Sequence, residues 1–469
     1  MTAPQPAATL LALALAAALT ALPTAAQTQS GTGAAAPKSD MLPIPPSLRK
    51  FPTPGQIAGR QLTLREAVDI ALDNAPKILA SVGDYVASLQ RANLALSPLL
   101  PQVTGQWFGF DQRTVGSGPS PIGQGAPLSM QRNVTTSVRS LDTKASVTAS
   151  QLLWDFGKTW AARDAAKADA EGFRAQVELQ KNNIAELVKE QYFTLLLSKR
   201  LVTVNDAALD RAEVNLKSAK GFFEVGTQPK SFVTRAEVDV ANARVNVIRA
   251  NNAVSLARVA LNTAMGIAVN TPTEVKDVLA YQQFPTDRET LLAEALQNRP
   301  DYKQVKALAD KNEALLRQAF RNFFPDITGS GTVGAQRADM NEIWDFGVRL
   351  NWTIFDGAGL IFQYKQAQAN FDAAKARVSD TELQIWQQVE QAYLNLGETE
   401  EVIGAAGKAV ESAQENYLLA RGRFDAGVAN IIELTDAQLN LTQAQSTEAQ
   451  ALAAYHIAIA RLEQALGRR

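Results

Sequence analysis

The chain of 469 residues reads as mainly α with transmembrane β, built from an internally duplicated helix–β-hairpin–helix unit. Three observations carry this reading. Landmark residues recur at two fixed offsets. Each copy holds a proline-free stretch of some 60 residues rich in Ala, Gln, Glu, Lys and Leu, all good helix formers. Ahead of each stretch lie segments of about ten residues in which apolar and polar side chains alternate.

The duplication is a matter of counting. Pro76 and Pro300 lie 224 positions apart, as do Pro101 and Pro325. Asp155 and Asp356, Phe223 and Phe424, and Met265 and Leu466 are each separated by 201. The first copy therefore carries 23 extra residues between positions 105 and 155. The stretch from Val115 to Arg132 is rich in Gly, Ser and Pro, which predicts a long loop in the first hairpin, since loops absorb insertions. The expected organisation is a first repeat over 62–266 with strands at about 101–112 and 141–154. A linker follows over 267–286, then a second repeat over 287–467 with strands at about 325–336 and 343–355.

Both copies run through the same elements. A short helix comes first, Leu64 to Asn74 and Thr290 to Asn298, with Thr63 and Glu66 spaced as a capping box. A second helix, Lys77 to Leu96 and Asp301 to Asn322, leads to the proline before the strands. After the hairpin comes the long helix, Lys158 to Lys220 and Leu360 to Arg421. Ile184, Leu187, Val188, Tyr192, Leu195 and Leu196 follow helical spacing within it. At 1.5 Å per residue such a helix is roughly 90 Å long, the scale of coiled coils, helical barrels and fibres. A glycine-containing turn then gives way to a last helix, Val233 to Met265 and Ile432 to Leu466.

In the fourth strand Trp344, Phe346, Val348, Leu350, Trp352 and Ile354 share one face, opposite Asp345, Gly347, Arg349 and Asn351. Ala145, Val147, Ala149 and Leu153 alternate with Lys144, Ser146, Thr148 and Ser150 in the second. This is the pattern of barrel strands in a membrane, although a soluble sheet with one wet face alternates too. Trp107, Trp154, Trp344 and Trp352 are expected near strand ends, at the lipid–water interfaces. Four strands cannot close a spanning barrel, and an open edge is not viable in lipid. A cyclic oligomer follows, with 8, 12 or 16 strands for two, three or four subunits.

Residues 1–26 read as a secretory signal with cleavage after Ala26, and the proline-rich stretch 27–60 as an extended tether. The chain has no cysteine, which excludes disulfides, thiolate catalysis, thiolate metal sites and a lipidated N-terminal Cys. A net charge of −1 gives no field to recruit nucleic acid. The lone histidine, His456, sits in an Ala/Leu helical context that suits packing, not catalysis. With no phosphate loop, nucleophile elbow or metal-ligand pair, the expectation is no enzyme, no cofactor and no metal site. A secreted coiled-coil fibre or adhesin would explain the helices, but not alternating hairpins at matched positions in both copies.

The strand ends Leu153-Trp154-Asp155-Phe156-Gly157 and Ile354-Phe355-Asp356-Gly357 carry a resemblance. So do the turn Phe424-Asp425-Ala426-Gly427-Val428 and the helix start Ile432-Glu433-Leu434-Thr435-Asp436-Ala437. Over about residues 62–467 the chain resembles the TolC-like outer membrane efflux protein family. The resemblance implies a homotrimer in the cell outer membrane, with a 12-stranded β-barrel continuous with a 12-helix α-helical barrel across the periplasm. It implies contacts with outer-membrane lipid, a periplasmic adaptor (membrane fusion) protein and an inner-membrane pump of RND or ABC type. The implied role is a passive conduit for small-molecule efflux, or for proteins in type I secretion.

Two sites carry over by position. Phe223, Glu224, Val225, Gly226 and Thr227 match the family's helix-turn-helix tips that meet the adaptor, as do Phe424, Asp425, Ala426, Gly427 and Val428. Plain turn chemistry would also account for these residues. Glu433 and Asp436 match paired acids at the periplasmic entrance. Their i, i+3 spacing puts both on one helix face, which would equally suit a solvated surface. The first copy has Phe232 and Arg235 at the equivalent positions, so an acidic ring would come from the second copy alone. The family's closing bond network has no counterpart at Phe424 and Ala429, so the latch must differ.

Overall fold

The computed structural model describes residues 60–120, 132–284, 288–336 and 341–469. The expected signal, nearly all of the tether, and residues 121–131 of the first hairpin lie outside the described residues.

The first copy contains β1 (Gln61–Leu62), α1 (Leu64–Asn74), α2 (Pro76–Leu94), a 3-10 turn at Ser97–Leu99, β2 (Gln102–Ser120), β3 (Arg132–Trp154), α3 (Lys158–Glu224) and α4 (Lys230–Ala264). After β4 (Glu274–Val275) the second copy contains α5 (Arg288–Asn298), α6 (Pro300–Arg321), β5 (Asp326–Gln336), β6 (Asn341–Asn351), α7 (Gly359–Asp425) and α8 (Ile431–Ala465). α3 and α7 both span 67 residues, α4 and α8 both span 35, and each pair is displaced by 201 at both ends. Thr63 and Glu66 close the capping box reciprocally. No helix among the described residues is long and apolar enough to cross a membrane.

The duplication extends into the packing. One core gathers Ala71 of α1, Ile78 of α2, Ile184, Val188 and Leu195 of α3, and Leu261 and Met265 near the end of α4. The other gathers their counterparts Ala295, Tyr302, Ile385, Val389, Leu396, Leu462 and Leu466. A third apolar cluster lies at the far end of the long helices and draws on both copies: Ala219, Ala236, Tyr417, Phe424, Ile431, Leu434 and Leu441.

The strands form one antiparallel sheet in the order β2-β3-β5-β6. Here the structure corrects the expected loop. β2 and β3 run for 19 and 23 residues, against 11 each in β5 and β6. Pairing of β2 with β3 continues to Ser120 opposite Arg132, whereas β5 stops at Gln336 opposite Lys144. Twelve residues of β3, 132–143, thus continue with β2 as a two-stranded ribbon past the second hairpin, roughly 40 Å at 3.4 Å per residue. Most of the insertion has gone into strand. Val134, Thr135, Thr136 and Val138 favour that state, and each strand supplies the other's backbone partners. β6 in turn ends at Asn351, so Trp352 and Ile354 lie beyond the strand in which their alternation placed them.

Beside the first core the chain crosses back over α3. β1 pairs in parallel with β4, and the buried Tyr192 hydroxyl donates to the Lys276 carbonyl at 2.8 Å, 3.1 Å from that of Leu62. Burial pushes the Tyr192 phenol up to about 12, so it remains a donor at any ordinary pH. In the second copy the Tyr455 hydroxyl donates to Gln282 and accepts from the Phe284 amide. His456 stacks on Phe193 at 4.7 Å, with Nε2 at 3.1 Å from the Ala280 carbonyl. Its role is packing.

Tyr192→Phe takes the hydroxyl donor from the Lys276 carbonyl, while the Leu62 carbonyl keeps the Lys276 amide, and should cost about 1 kcal/mol, read as a lowered unfolding midpoint in detergent. An unchanged midpoint would show that the clasp is not stabilising. Burial also depresses the His456 pKa below its ordinary 6.5, outweighing the opposing bond to Ala280. The unfolded chain then binds the proton more readily, so this stability is present above pH 6.5 and is lost as pH falls through the folded-state value. The melting temperature of the wild type should drop more between pH 7.5 and pH 5 than that of His456→Gln; equal drops would contradict the assignment.

Candidate functional site: barrel wall, junction and tips

One face of the four-stranded sheet is largely apolar, with Gln151 and Glu342 among its polar members. Val103, Ala149, Gly331 and Phe346 form one row, and Gly105, Val147, Val333 and Trp344 the next. The opposite face carries rows such as Thr104, Thr148, Thr332 and Asp345. On β6 the apolar side is open: Trp344, Phe346, Val348 and Leu350 are 57–71% exposed. Gly331 makes room for one of these rings, since a Cβ there would sit 2.7 Å from Phe346.

Two of the four tryptophans lie elsewhere than expected within their strands. Trp107 is well inside the lengthened β2, yet level with the far end of the second hairpin through the row Trp107–Ala145–Ala335–Glu342. Trp344 belongs to the neighbouring row. Trp154 ends β3, and Trp352 follows β6, its indole donating to the Phe323 carbonyl at 3.1 Å. Around this second level Phe156 stacks on Phe324 at 5.4 Å and meets Trp154 edge-on. The two levels bracket some eight to eleven residues of tilted strand, about 20–30 Å of apolar height.

Each hairpin passes into its long helix through a turn with two consecutive left-handed residues, Phe156 and Gly157 in the first copy, Gly357 and Ala358 in the second. The motif aspartates, which sequence counting used only as landmarks, cap the helices. Asp155 accepts from the amides of Gly157 at 2.9 Å and Thr159 at 2.6 Å. Asp356 accepts from the amide of Leu360 at 2.8 Å. Lys158 bridges the junction by donating to the Phe324 carbonyl and to Asp326.

At the other end, both tips close with the same motif. Gly226 donates to the Phe223 carbonyl and Thr227 to that of Phe222. Gly427 donates to the Phe424 carbonyl and Val428 to that of Arg423. Both glycines are left-handed, with φ of 76° and 75°. This arrangement satisfies the last carbonyls of a helix. The tip residues do not all face outward. Val225 and Val428 are more than 70% exposed, and Phe223 partly so. Glu224, Gly226, Thr227, Asp425, Ala426 and Gly427 are also exposed. Phe424 is 3% exposed, packed edge-on against Phe222 at 5.6 Å. It is a core residue of the hairpin and offers no docking surface, which corrects its place among the expected contacts. Its neighbour in the family's closing network, Ala429, is buried with it.

Glu433 lies in the first turn of α8, whose N-cap Asn430 accepts from the Ile432 amide. Arg423, in the last turn of α7, donates to Glu433 at 2.8 Å. Asp436 is exposed. In the first copy Phe232 packs partly into the tip cluster, and the exposed Arg235 lines a groove with Asn430, Ile431 and Ile432. Sequence reading missed Arg423. A base closing one helix and an acid opening the next, each favoured by its helix dipole, is the pattern that could have found it.

Two helix-end glycines, Gly226 and Gly266, allow a graded test. Gly226→Ala meets nothing within 4 Å, so its cost should be the left-handed backbone alone, about 1–2 kcal/mol. At Gly266, where φ is 68°, a Cβ would also lie 3.0 Å from the Asn74 carbonyl oxygen. Gly266→Ala should therefore lower the melting temperature more than Gly226→Ala, and the reverse order would sink this reading.

The outer membrane efflux protein model matches residues 67–267 and again 291–468. Nodulation protein T of Rhizobium leguminosarum bv. trifolii is 25% identical over 329 residues, 67% of this chain and 69% of that protein. Outer membrane protein TolC of Escherichia coli K12 is 24% identical over 415 residues, covering 84% of this chain and 79% of that protein. Among solved structures, the Campylobacter jejuni CmeC outer membrane channel superposes with a TM-score of 0.72 at 17% identity, over 86% of this chain and 85% of that one. Matched twice in tandem over most of its length, the chain belongs to the outer membrane efflux protein family.

Proposed function

We propose that this chain is the outer-membrane channel subunit of a tripartite export system, a passive conduit that carries small molecules from the periplasm and an inner-membrane pump to the exterior. One observation carries the reading furthest. The sheet exposes an apolar face and leaves β2 and β6 each paired on one side only, while the same chain continues into helices of roughly 100 Å. An apolar face suits lipid, and unpaired edges in lipid demand neighbours. Three chains would close 12 strands above and pack 12 helical columns below, as the family resemblance implies.

In this assembly the polar sheet face lines the lumen, and the tips Phe223–Thr227 and Asp425–Val428 meet a periplasmic adaptor serving an RND or ABC pump. The channel performs no chemistry. Asp436 and Glu433 project at the periplasmic entrance, where rings of carboxylates favour cations and bind multivalent ones.

Planar-bilayer recordings test the ring. Replacing Glu433 and Asp436 together by Ala should lower the preference for K⁺ over Cl⁻ and weaken block by a multivalent cation, each by roughly threefold or more. Unchanged selectivity and block would remove the acids from the entrance.

A further inference from the structure

We infer that α7 packs against α4 of a second copy of this chain, along a seam in which the large and small residues of the chain's own α3–α8 seam are exchanged. The inference deepens the proposed channel reading, because it names the surface through which its subunits would meet.

Within the chain the long helices lie in the order α4–α3–α8–α7. α4 and α7 are the edges, as β2 and β6 are in the sheet. The offset of 201 carries α3 onto α7 and α4 onto α8. The packing of α3 on α8 therefore has its counterpart in a packing of α7 on α4. Those two helices stand on opposite edges of one chain, so the α4 comes from another. Nearer the tips α8 also reaches α4, with Thr435 donating to Asp239, and the correspondence holds for the helices beyond that contact.

The inner seam is antiparallel. Phe193 stacks on His456, and Arg211 donates to Thr442. Between these pairs Leu196 and Ala453 share the first core, and the buried Val204 and Ala449 stand level near the midpoint. The positions 201 away are Gly397 with Asn252, and Ala405 with Ile248. Leu and Ala have become Gly and Asn; Val and Ala have become Ala and Ile. In both pairs the larger side chain has moved from the 67-residue helix to the 35-residue one, so the knob has changed sides of the seam.

The chain itself gives these residues no partner for their size. Ile248 is 63% exposed, Asn252 and Ala405 are exposed, and a Cβ at Gly397 would meet nothing within 4 Å. Glycine is unfavourable in mid-helix, and a neighbour that needs the space gives it a reason. Val245, Leu256 and Val259 on α4 and Leu394 and Val402 on α7 extend bare apolar surface along both edges. Charge matches as well. Arg249 on α4 and Glu398 and Glu401 on α7 stand at this level, exposed and with no hydrogen bond or ion pair among the described residues. The exchange also keeps the two seams distinct. Setting α4 in the place of α8 would oppose Ile248 to Val204, and setting α3 in the place of α7 would do the same, while α8 on α7 would oppose Ala449 to Ala405 and leave a gap.

The chain has no cysteine, so introduced pairs report contacts without background. In the full-length protein in detergent, Ile248→Cys with Ala405→Cys, treated with a short bis-methanethiosulfonate, should give covalent dimers and higher multimers on a non-reducing gel. Val204→Cys with Ala449→Cys, the matching pair of the inner seam, should cross-link within the chain and leave a monomer band. Size is tested separately. Ala405→Leu should lower the oligomeric fraction in sedimentation by roughly fivefold, and adding Ile248→Ala should restore most of it. If the Ile248→Cys and Ala405→Cys pair yields no multimer while the wild type sediments as an oligomer, the seam is wrong and the channel reading stands. A double variant no better than Ala405→Leu alone would overturn the size exchange. A wild type that is monomeric in both detergent and lipid would remove the channel reading together with the inference.

Discussion

Backbone amides and carbonyls in hydrocarbon have no water to turn to, and this constraint governs the molecule. A helix satisfies those groups within itself, so α3 and α7 can run for 67 residues each with only side-chain partners. A strand cannot. β3 and β5 are paired on both sides, whereas β2 and β6 each leave a row of donors and acceptors unmatched. The apolar rows of the sheet suit lipid, and there its two edge strands would need further strands to pair with. The proposed oligomer would thus follow from hydrogen bonding before any subunit contact is considered.

The same constraint sharpens at the point where strand becomes helix. There the ladder ends and the first helical amides have no partner in their own helix. Asp155 and Asp356 supply acceptors, and the paired left-handed residues turn the chain so that each helix starts directly after its hairpin. Lys158 ties the first junction to the Phe324 carbonyl before β5, linking the two copies at this height. Apolar wall, aromatic levels and long helices are thereby joined without an intervening loop that could blur their relative placement.

Much of this was legible in the sequence, because repetition converts weak local signals into strong ones. Ile184 and Ile385 or Leu261 and Leu462 are unremarkable alone, but a shared offset of 201 makes each the other's confirmation, and the two cores pair them position by position. The insertion was misjudged because Gly, Ser and Pro signal loops only where the backbone lacks cross-strand partners. From Val115 to Ser120 it has them, opposite Ser137 to Arg132, while 121–131 lie outside the described residues. Phe424 was placed at a surface because alignment gives position and not direction; its burial depends on Phe222 and Ile431, distant in sequence or across the turn. Arg423 escaped because its partner is ten residues away, beyond any spacing along one helix.

The tip shows what replaces a hydrogen-bonded latch at positions occupied by Phe and Ala. Phe424 and Ala429 join Ala219 and Ala236 of the first copy in one apolar cluster. Apolar contact between the two hairpins of a chain depends on exclusion of water, so salt screens it far less than an exposed ion pair. Just beyond the cluster the contact turns polar, with Asn215 donating to Gln438, Arg211 to Thr442 and Thr435 to Asp239. These bonds, two of them involving a charged group, fix the register between the hairpins. The apolar patch joins the hairpins at their ends, and the pairs Lys189–Glu463 and Arg461–Glu190 join the same helices farther along; Arg423 pairs with Glu433 within the second hairpin. Charge at the tip surface can thus vary without disturbing the apolar cluster beneath it.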